Sequence, residues 1–273
     1  LTQAPAWRVL FFRPAGAKIR AMDSVIVALA SLLAGFVDSI VGGGGLILVP
    51  ALFATFPAAV PGDLLGTNKS ASIWGTGVAT AQYARRVQIR WQAMLPAAVT
   101  SFVAAFAGAW VVTLVSADAL RKLLPAVLVA LLIYTLARKE LGRVHAPLLG
   151  LASERLVACA IAAVIGFYDG FFGPGTGSFF IFLFVRFLGY DFLNASVSAK
   201  LLNLSTNASS LILFASMGHV WWHLTLWLAA ANVIGSLLGA RLALRHGAGF
   251  VRMLFIIVVG ALILKTGYDA FLR

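Results

Sequence analysis

Apolar residues fill this chain in long blocks without period-two alternation. Ser39–Gly62, Trp91–Ala117 and Leu201–Ala240 contain no Asp, Glu, Lys or Arg over 24, 27 and 40 residues. A helix needs roughly 20 mostly apolar residues to cross a bilayer. The longest block therefore predicts two helices joined by a turn near His219–His223. Strands of a membrane barrel would alternate apolar and polar over about ten residues, and runs such as Ala97–Val115 and Pro125–Ala137 do not. The pattern predicts ten helical segments, at 24–41, 45–60, 65–84, 92–116 and 120–138, then at 154–172, 177–189, 192–217, 222–243 and 249–271.

Composition narrows the class. Hydrophobic residues make up 61% of the 273 and charged residues 11%, and the mean hydropathy is +0.97. Soluble domains carry about 25% charged residues. A soluble enzyme, a disordered chain and a fibrous chain are excluded, and an all-α integral membrane protein is predicted, a multi-pass helical bundle. The net charge of +12 would suggest nucleic acid in a soluble protein. Here the basic residues fall in short loops, where they orient helices in the lipid bilayer, so no nucleic-acid partner is expected.

Cys159 stands alone in an apolar run, which leaves no disulfide framework and no thiolate metal site. The four histidines lie at or near segment ends, without a His-Glu-x-x-His pattern. No metal, cofactor or catalytic residue is expected. Trp91, Trp221, Trp222 and Trp227 read as a cluster of interfacial anchors near a loop.

The chain is duplicated. Sliding it on itself by 131 positions lays Gly35 on Gly166, Asp38 on Asp169, Gly42 on Gly173 and Gly44 on Gly175. Further on, Lys69 falls on Lys200, Trp91 on Trp222 and Arg121 on Arg252. Matches at such rare types define one repeat over about 35–140 and a second over about 166–271. Loop charge compares their orientation. Arg85, Arg86 and Arg90 follow the third segment of the first repeat, whereas Met217–Trp222, the matching loop, carries no formal charge. Arg241, Arg245 and Arg252 reverse the bias at the next loop. Matched loops thus face opposite sides, as in an inverted-topology repeat with the carboxyl terminus outside; parallel repeats with eight crossings are the alternative. Residues 1–21 carry four basic and no acidic side chains and read as a leader or upstream extension. Residues 22–273 read as a single transmembrane domain.

Two glycine-rich breaks carry the candidate chemistry, Asp38-Ser-Ile-Val-Gly42-Gly-Gly-Gly45 and Asp169-Gly-Phe-Phe-Gly173-Pro-Gly-Thr-Gly177. Glycine costs about 1 kcal/mol per residue within a helix, so each cluster ends one. Non-helical backbone at membrane depth must be buried in protein or line a wet cavity. The helix after each break opens with unpaired N–H groups and a positive dipole end, and two such ends facing each other make an anion site. Gly43, Gly44, Gly45, Gly175, Thr176 and Gly177 are the candidate donors, against tight helix packing as the plainer reading. Lys69 and Lys200 lie inside apolar segments, where a lysine costs about 2.5–3.5 kcal/mol. Either they attract an anion, with Asn68 and Asn203 as further donors, or they pair with Asp38 and Asp169 as structural glue. The aspartates could otherwise carry a proton as coupling ion.

These paired breaks, with Gly66-Thr-Asn-Lys69 and Lys200-Leu-Leu-Asn203 with Asn207 beyond it, resemble the TauE/SafE family over residues 22–273. The resemblance implies a secondary transporter of the bacterial inner membrane, a permease exporting sulfite, a sulfonate or a related small oxyanion. It leaves the particular anion, the direction and the oligomeric state open. An anion channel and an intramembrane enzyme are the other classes, the second without a nucleophile–base or metal constellation to support it.

Overall fold

The computed structural model of the protein describes residues 21–115 and 146–271. Residues 1–20, the expected segment 120–138 and the basic residues Arg138, Lys139 and Arg143 lie outside the described residues.

Eight helices follow one another among the described residues, without a strand. Helix α1 (Ala21–Val41) opens with Asp23 in its first turn and stops where Gly42 takes φ 75°, a left-handed angle that glycine adopts without strain. Helix α2 (Gly45–Thr55) is short. Helix α3 (Pro61–Ala84) starts earlier than the apolar pattern placed it. Its opening Pro-Gly-Asp is polar, but proline suits a first helical position and Asp63 favours the dipole. Helices α4 (Trp91–Thr113) and α5 (Leu151–Phe171) lie on either side of the undescribed stretch. Helix α6 (Thr176–Leu183) runs into a π-helical turn at Phe184–Leu188. Asp191 caps helix α7 (Phe192–Ser216) by accepting the Asn194 N–H at 2.7 Å. Helix α8 (Trp222–Phe271) joins the last two expected segments, interrupted at Gly247, where φ is 74° and ψ is −168°.

The 131-residue register extends to helix starts: Gly45 matches Thr176, Pro61 matches Phe192 and Trp91 matches Trp222. Helices α1, α4, α5 and the Trp222–Gly247 part of α8 are long and apolar enough to cross a membrane. They present large apolar side chains outward, including Leu29, Leu156, Val164 and Trp227. Helices α3 and α7 are more polar yet bury Thr67, Asn68, Lys69, Ser70, Asn203 and Asn207. Polar side chains inside an apolar shell are the distribution that a lipid solvent favours.

Packing crosses between the repeats. The Ser31 hydroxyl donates to Leu228 O at 2.7 Å and Ser236 Oγ to Gly35 O at 3.2 Å, so α1 and α8 run parallel. Trp221 N–H donates to Thr67 Oγ1 at 3.0 Å and Ser70 bonds Thr225 at 2.7 Å, so α3 also runs parallel to α8. In the other bundle Ser205 reaches Ala98 O and Ser209 reaches Phe102 O, at 2.7 and 2.6 Å, so α7 parallels α4. Gly166 packs on Ser101 and Gly170 on Ala105, which makes α5 parallel to α4. Between the bundles, Gly66 neighbours Phe214, Gly77 neighbours Leu204 and Tyr83 neighbours Lys200, so α3 and α7 run antiparallel.

These directions place the end of α3 and the Gly247 end of the first part of α8 on the same face as the starts of α4, α5 and α7. Between Ala21 and Gly247 every described arginine lies there: Arg85, Arg86, Arg90, Arg155, Arg186, Arg241 and Arg245. Arg90 pairs with buried Glu154 at 2.8 Å, and the Tyr190 hydroxyl donates to that carboxylate. Asp63 and His219 meet on the opposite face at 2.7 Å.

The tryptophans correct an expectation. Trp91 and Trp222 open helices that run in opposite directions, so the four do not cluster. Trp221 is buried and meets Phe56 edge-on at 5.1 Å, whereas Trp91 and Trp227 are exposed. Trp221 precedes its helix; its main-chain N–H is held by the Thr67 hydroxyl and its ring packs into the apolar cluster with Phe56.

Candidate functional site

Each glycine break is a tight turn between a long helix and a short one. In the first, Gly42 N–H donates to Asp38 O at 2.8 Å and Gly44 N–H to Asp38 Oδ1 at 3.2 Å. In the second, Gly173 (φ 95°) donates to Tyr168 O at 3.2 Å, and the Thr176 hydroxyl closes the turn on Gly173 O at 2.7 Å. Positive φ at the matched pair Gly42 and Gly173 gives both turns the same start.

The turns lock together. Ser178 N–H donates to Gly42 O at 3.1 Å and its hydroxyl to Val41 O at 2.9 Å. Gly42 and Gly177 approach so closely that a β-carbon on either would overlap the other's backbone, and one on Gly45 would stand 3.2 Å from Pro174 Cα. Close approach thus explains these glycines by itself.

The four charged residues surround this junction, all buried. Lys69 Nζ lies 2.8 Å from Asp169 Oδ2, a pair linking α3 of the first repeat to α5 of the second. The Lys69 ammonium also stands beside Gly173. In the matched place Lys200 donates to the main-chain oxygen of Asp38 at 2.7 Å and lies over the Tyr83 ring at 5.3 Å. The Asp38 carboxylate is held by Gly44 N–H and, at 3.3 Å, by the Thr76 hydroxyl. Lys69, Asp169, both turns, Asp38 and Lys200 therefore form one connected polar chain. A buried pair is costly to break from one side, about 3–5 kcal/mol, because the remaining charge is stranded.

The other residues singled out in the sequence fall into two groups. Gly43 faces Leu46, Val37 and Val41 of its own turn. A β-carbon on Gly44 would meet Asp38 Cβ at 2.7 Å and Ala34 O at 2.9 Å, so its small size serves helix packing. The N–H groups of Gly44 and Thr176 are already bonded, to Asp38 and to Gly173 O. Of the candidate donors, Gly43, Gly45, Gly175 and Gly177 remain, and Gly175, at φ 83°, starts α6 by accepting the Phe179 N–H at 3.0 Å. Asn68 is buried beside Lys69 with its Oδ1 unpartnered, and the Thr206 hydroxyl makes a long 3.5 Å contact to Asn203 Oδ1.

Thr76, Tyr83 and Ser178 belong to the site although no sequence motif marks them. The repeat register could have found Thr76, which matches Asn207, another buried polar residue. Among the described residues no three His, Cys, Asp or Glu side chains come together to hold a metal.

Comparison with known proteins bears on what the arrangement serves. The family model described as "Sulfite exporter TauE/SafE" matches residues 27–266. A probable membrane transporter protein, ORF9, of Sinorhizobium sp is 37% identical over 241 residues, covering 88% of this chain and 90% of its own. The probable membrane transporter protein YfcA of Escherichia coli K12 is 34% identical over 249 residues, covering 90% of each chain. A probable membrane transporter protein of Haemophilus influenzae is 30% identical, covering 89% of this chain and 94% of its own. No solved structure matches the chain significantly. With the family model spanning nearly all of its helices, the chain belongs to the TauE/SafE family of membrane transporters.

Proposed function

We propose that this protein is a secondary transporter that carries a small oxyanion, sulfite or an organosulfonate, across the bacterial inner membrane by alternating access. The observation that carries the reading is the junction itself: two helix-start turns, joined back to back, flanked by two buried lysines. The N–H groups of Gly45 and Gly177, the lysine ammonium groups and the amides of Asn68 and Asn203 are the donors for the anion's oxygens. Asp38 and Asp169 hold the lysines and are the candidate proton carriers for coupling. The reading is of a permease, with no bond made or broken in the cargo.

The run directions support an inverted repeat. Parallel α1–α8–α3 on one side and α5–α4–α7 on the other, with α3 antiparallel to α7, set α1, α3 and α4 against the directions of their matches α5, α7 and α8. One repeat rocking against the other would then expose the junction to each side in turn. The arginine face supports a cytoplasmic placement for that side by the positive-inside rule.

Flux of radiolabelled sulfite in proteoliposomes tests the reading. Saturable flux, weakened by Lys69→Ala and by Lys200→Ala and little changed by Trp227→Ala, is the expected result. Wild-type flux in both lysine variants would remove the lysines from the site, and flux that rises without saturation would point to a channel.

A further inference from the structure

The two halves place the same residues at matched positions and bond them differently. Asp38 matches Asp169, Lys69 matches Lys200, and Gly42 and Gly44 match Gly173 and Gly175. Lys69 meets the carboxylate of Asp169 at 2.8 Å. Lys200 meets the main-chain oxygen of Asp38 at 2.7 Å, and among the described residues no carboxylate lies within ion-pair distance of it. The Asp38 carboxylate is turned away, onto Gly44 N–H and Thr76 of its own repeat. Identical residues in unlike arrangements define two arrangements available to each half.

We infer that the two lysine–aspartate pairs exchange roles as the transporter changes state, so that one lysine at a time is left with net charge for the anion. The inference rests on the anion-transport reading for its ligand. In the state described, Lys69 is neutralised by Asp169, whereas Lys200, held by the Asp38 main-chain oxygen and the Tyr83 ring, has no carboxylate partner among the described residues. Lys200, Asn203 and Asn207 lie three and four residues apart on one face of α7, so the ammonium and two amides form the anion subsite. In the other state Asp38 leaves Gly44 and Thr76 for the Lys200 ammonium. Lys69 then moves from the Asp169 carboxylate to its main-chain oxygen, beside Asn68. The number of charged pairs is the same before and after, which keeps the two states close in free energy, as a transporter requires.

The exchange is read out without any ligand. Helices α1 and α5 belong to different bundles, and Leu29 and Val164 on them are 63% and 69% exposed. Spin labels on Leu29→Cys and Val164→Cys, in a Cys159→Ser background of the full chain in nanodiscs, report the distance between bundles by electron–electron double resonance. Asp169→Asn removes the pair of the present state and should shift the population towards a second distance. Asp38→Asn removes the pair of the other state and should shift it the opposite way, each by about tenfold in the ratio of the two. Lys69→Met should reproduce Asp169→Asn, which guards against a defect peculiar to one variant. Shifts in the same direction, or no shift in properly reconstituted protein, overturn the exchange. Sulfite is then titrated into the same samples. Opposite shifts without any sulfite binding would keep the exchange and remove sulfite as cargo. Sulfite binding with like shifts would keep the cargo and remove the exchange.

Discussion

Gly42 of the first turn and Gly177 of the second press backbone against backbone, with Ser178 N–H bonded to Gly42 O at 3.1 Å. The contact discriminates between neighbouring glycines. Gly177→Ala should cost most of the folded protein, because the new β-carbon would overlap Gly42. Gly42→Ala should do the same and add strain at φ 75°. Gly43→Ala should be tolerated, since its β-carbon would meet only side-chain methyl groups, of Leu46 at 3.4 Å, Val37 at 3.6 Å and Val41 at 3.8 Å. Monodisperse yield on size-exclusion chromatography checks all three. Gly44→Val should also fail, through Asp38 and Ala34, so its loss would not report on an anion.

The Lys69–Asp169 pair calls for a double-substitution cycle. Asp169→Leu alone and Lys69→Met alone should each destabilise by about 3–5 kcal/mol, by leaving one buried charge without its partner. The double variant should cost clearly less than the two together. Thermal unfolding in detergent measures the cycle, and simple additivity would mean that the pair is not coupled.

Tyr190, between the π-helical turn and α7, yields a pH prediction. Burial, then its bond to the Glu154 carboxylate, hold its phenol above the ordinary tyrosine value of 10.0. The folded state therefore keeps this proton after the unfolded chain has lost it. The contribution is fully present below pH 10.0 and is lost as pH rises above it. Tyr190→Phe should lower stability by about 1–3 kcal/mol near neutrality, by leaving Glu154 Oε1 without its donor while Arg90 keeps Oε2, and should flatten the alkaline decline. Unfolding midpoints from pH 8 to 11 give both readings.

Sidedness is checked by labelling. In a Cys159→Ser background, Gly218→Cys on the face of Asp63 and His219 should react with an impermeant maleimide on intact cells. Gln88→Cys, in the loop between α3 and α4 on the arginine face, should react only after permeabilisation. The reverse result would invert the proposed orientation.

The sequence revealed most where rare residues stand out against an apolar background. Asp38, Lys69 and their matches are legible because charge in a membrane segment needs a reason, and the glycine breaks because four glycines cannot continue a helix. What could not be read was pairing across the repeats. Nothing in local pattern says that Lys69 reaches Asp169 rather than Asp38, or that Lys200 settles on a main-chain oxygen. Thr76 and Tyr83 do not stand out, because a single hydroxyl in a helix is ordinary. The beginning of α3 is hidden by its polar first residues, and adjacency to Trp222 gives no sign that Trp221 packs inward on Phe56.

The crossing of partners between the halves also bears on how such a chain could arise. The face of α1 that carries Gly35 is covered by Asn232 of α8, and the face of α5 that carries Gly166 is covered by Ser101 of α4. A single half would hold both kinds of surface and could not join them within itself. It would have to borrow the missing helix from a second copy. A gene encoding one half would thus have needed to act as a pair from its first appearance, and fusion would have fixed a partnership that assembly already demanded.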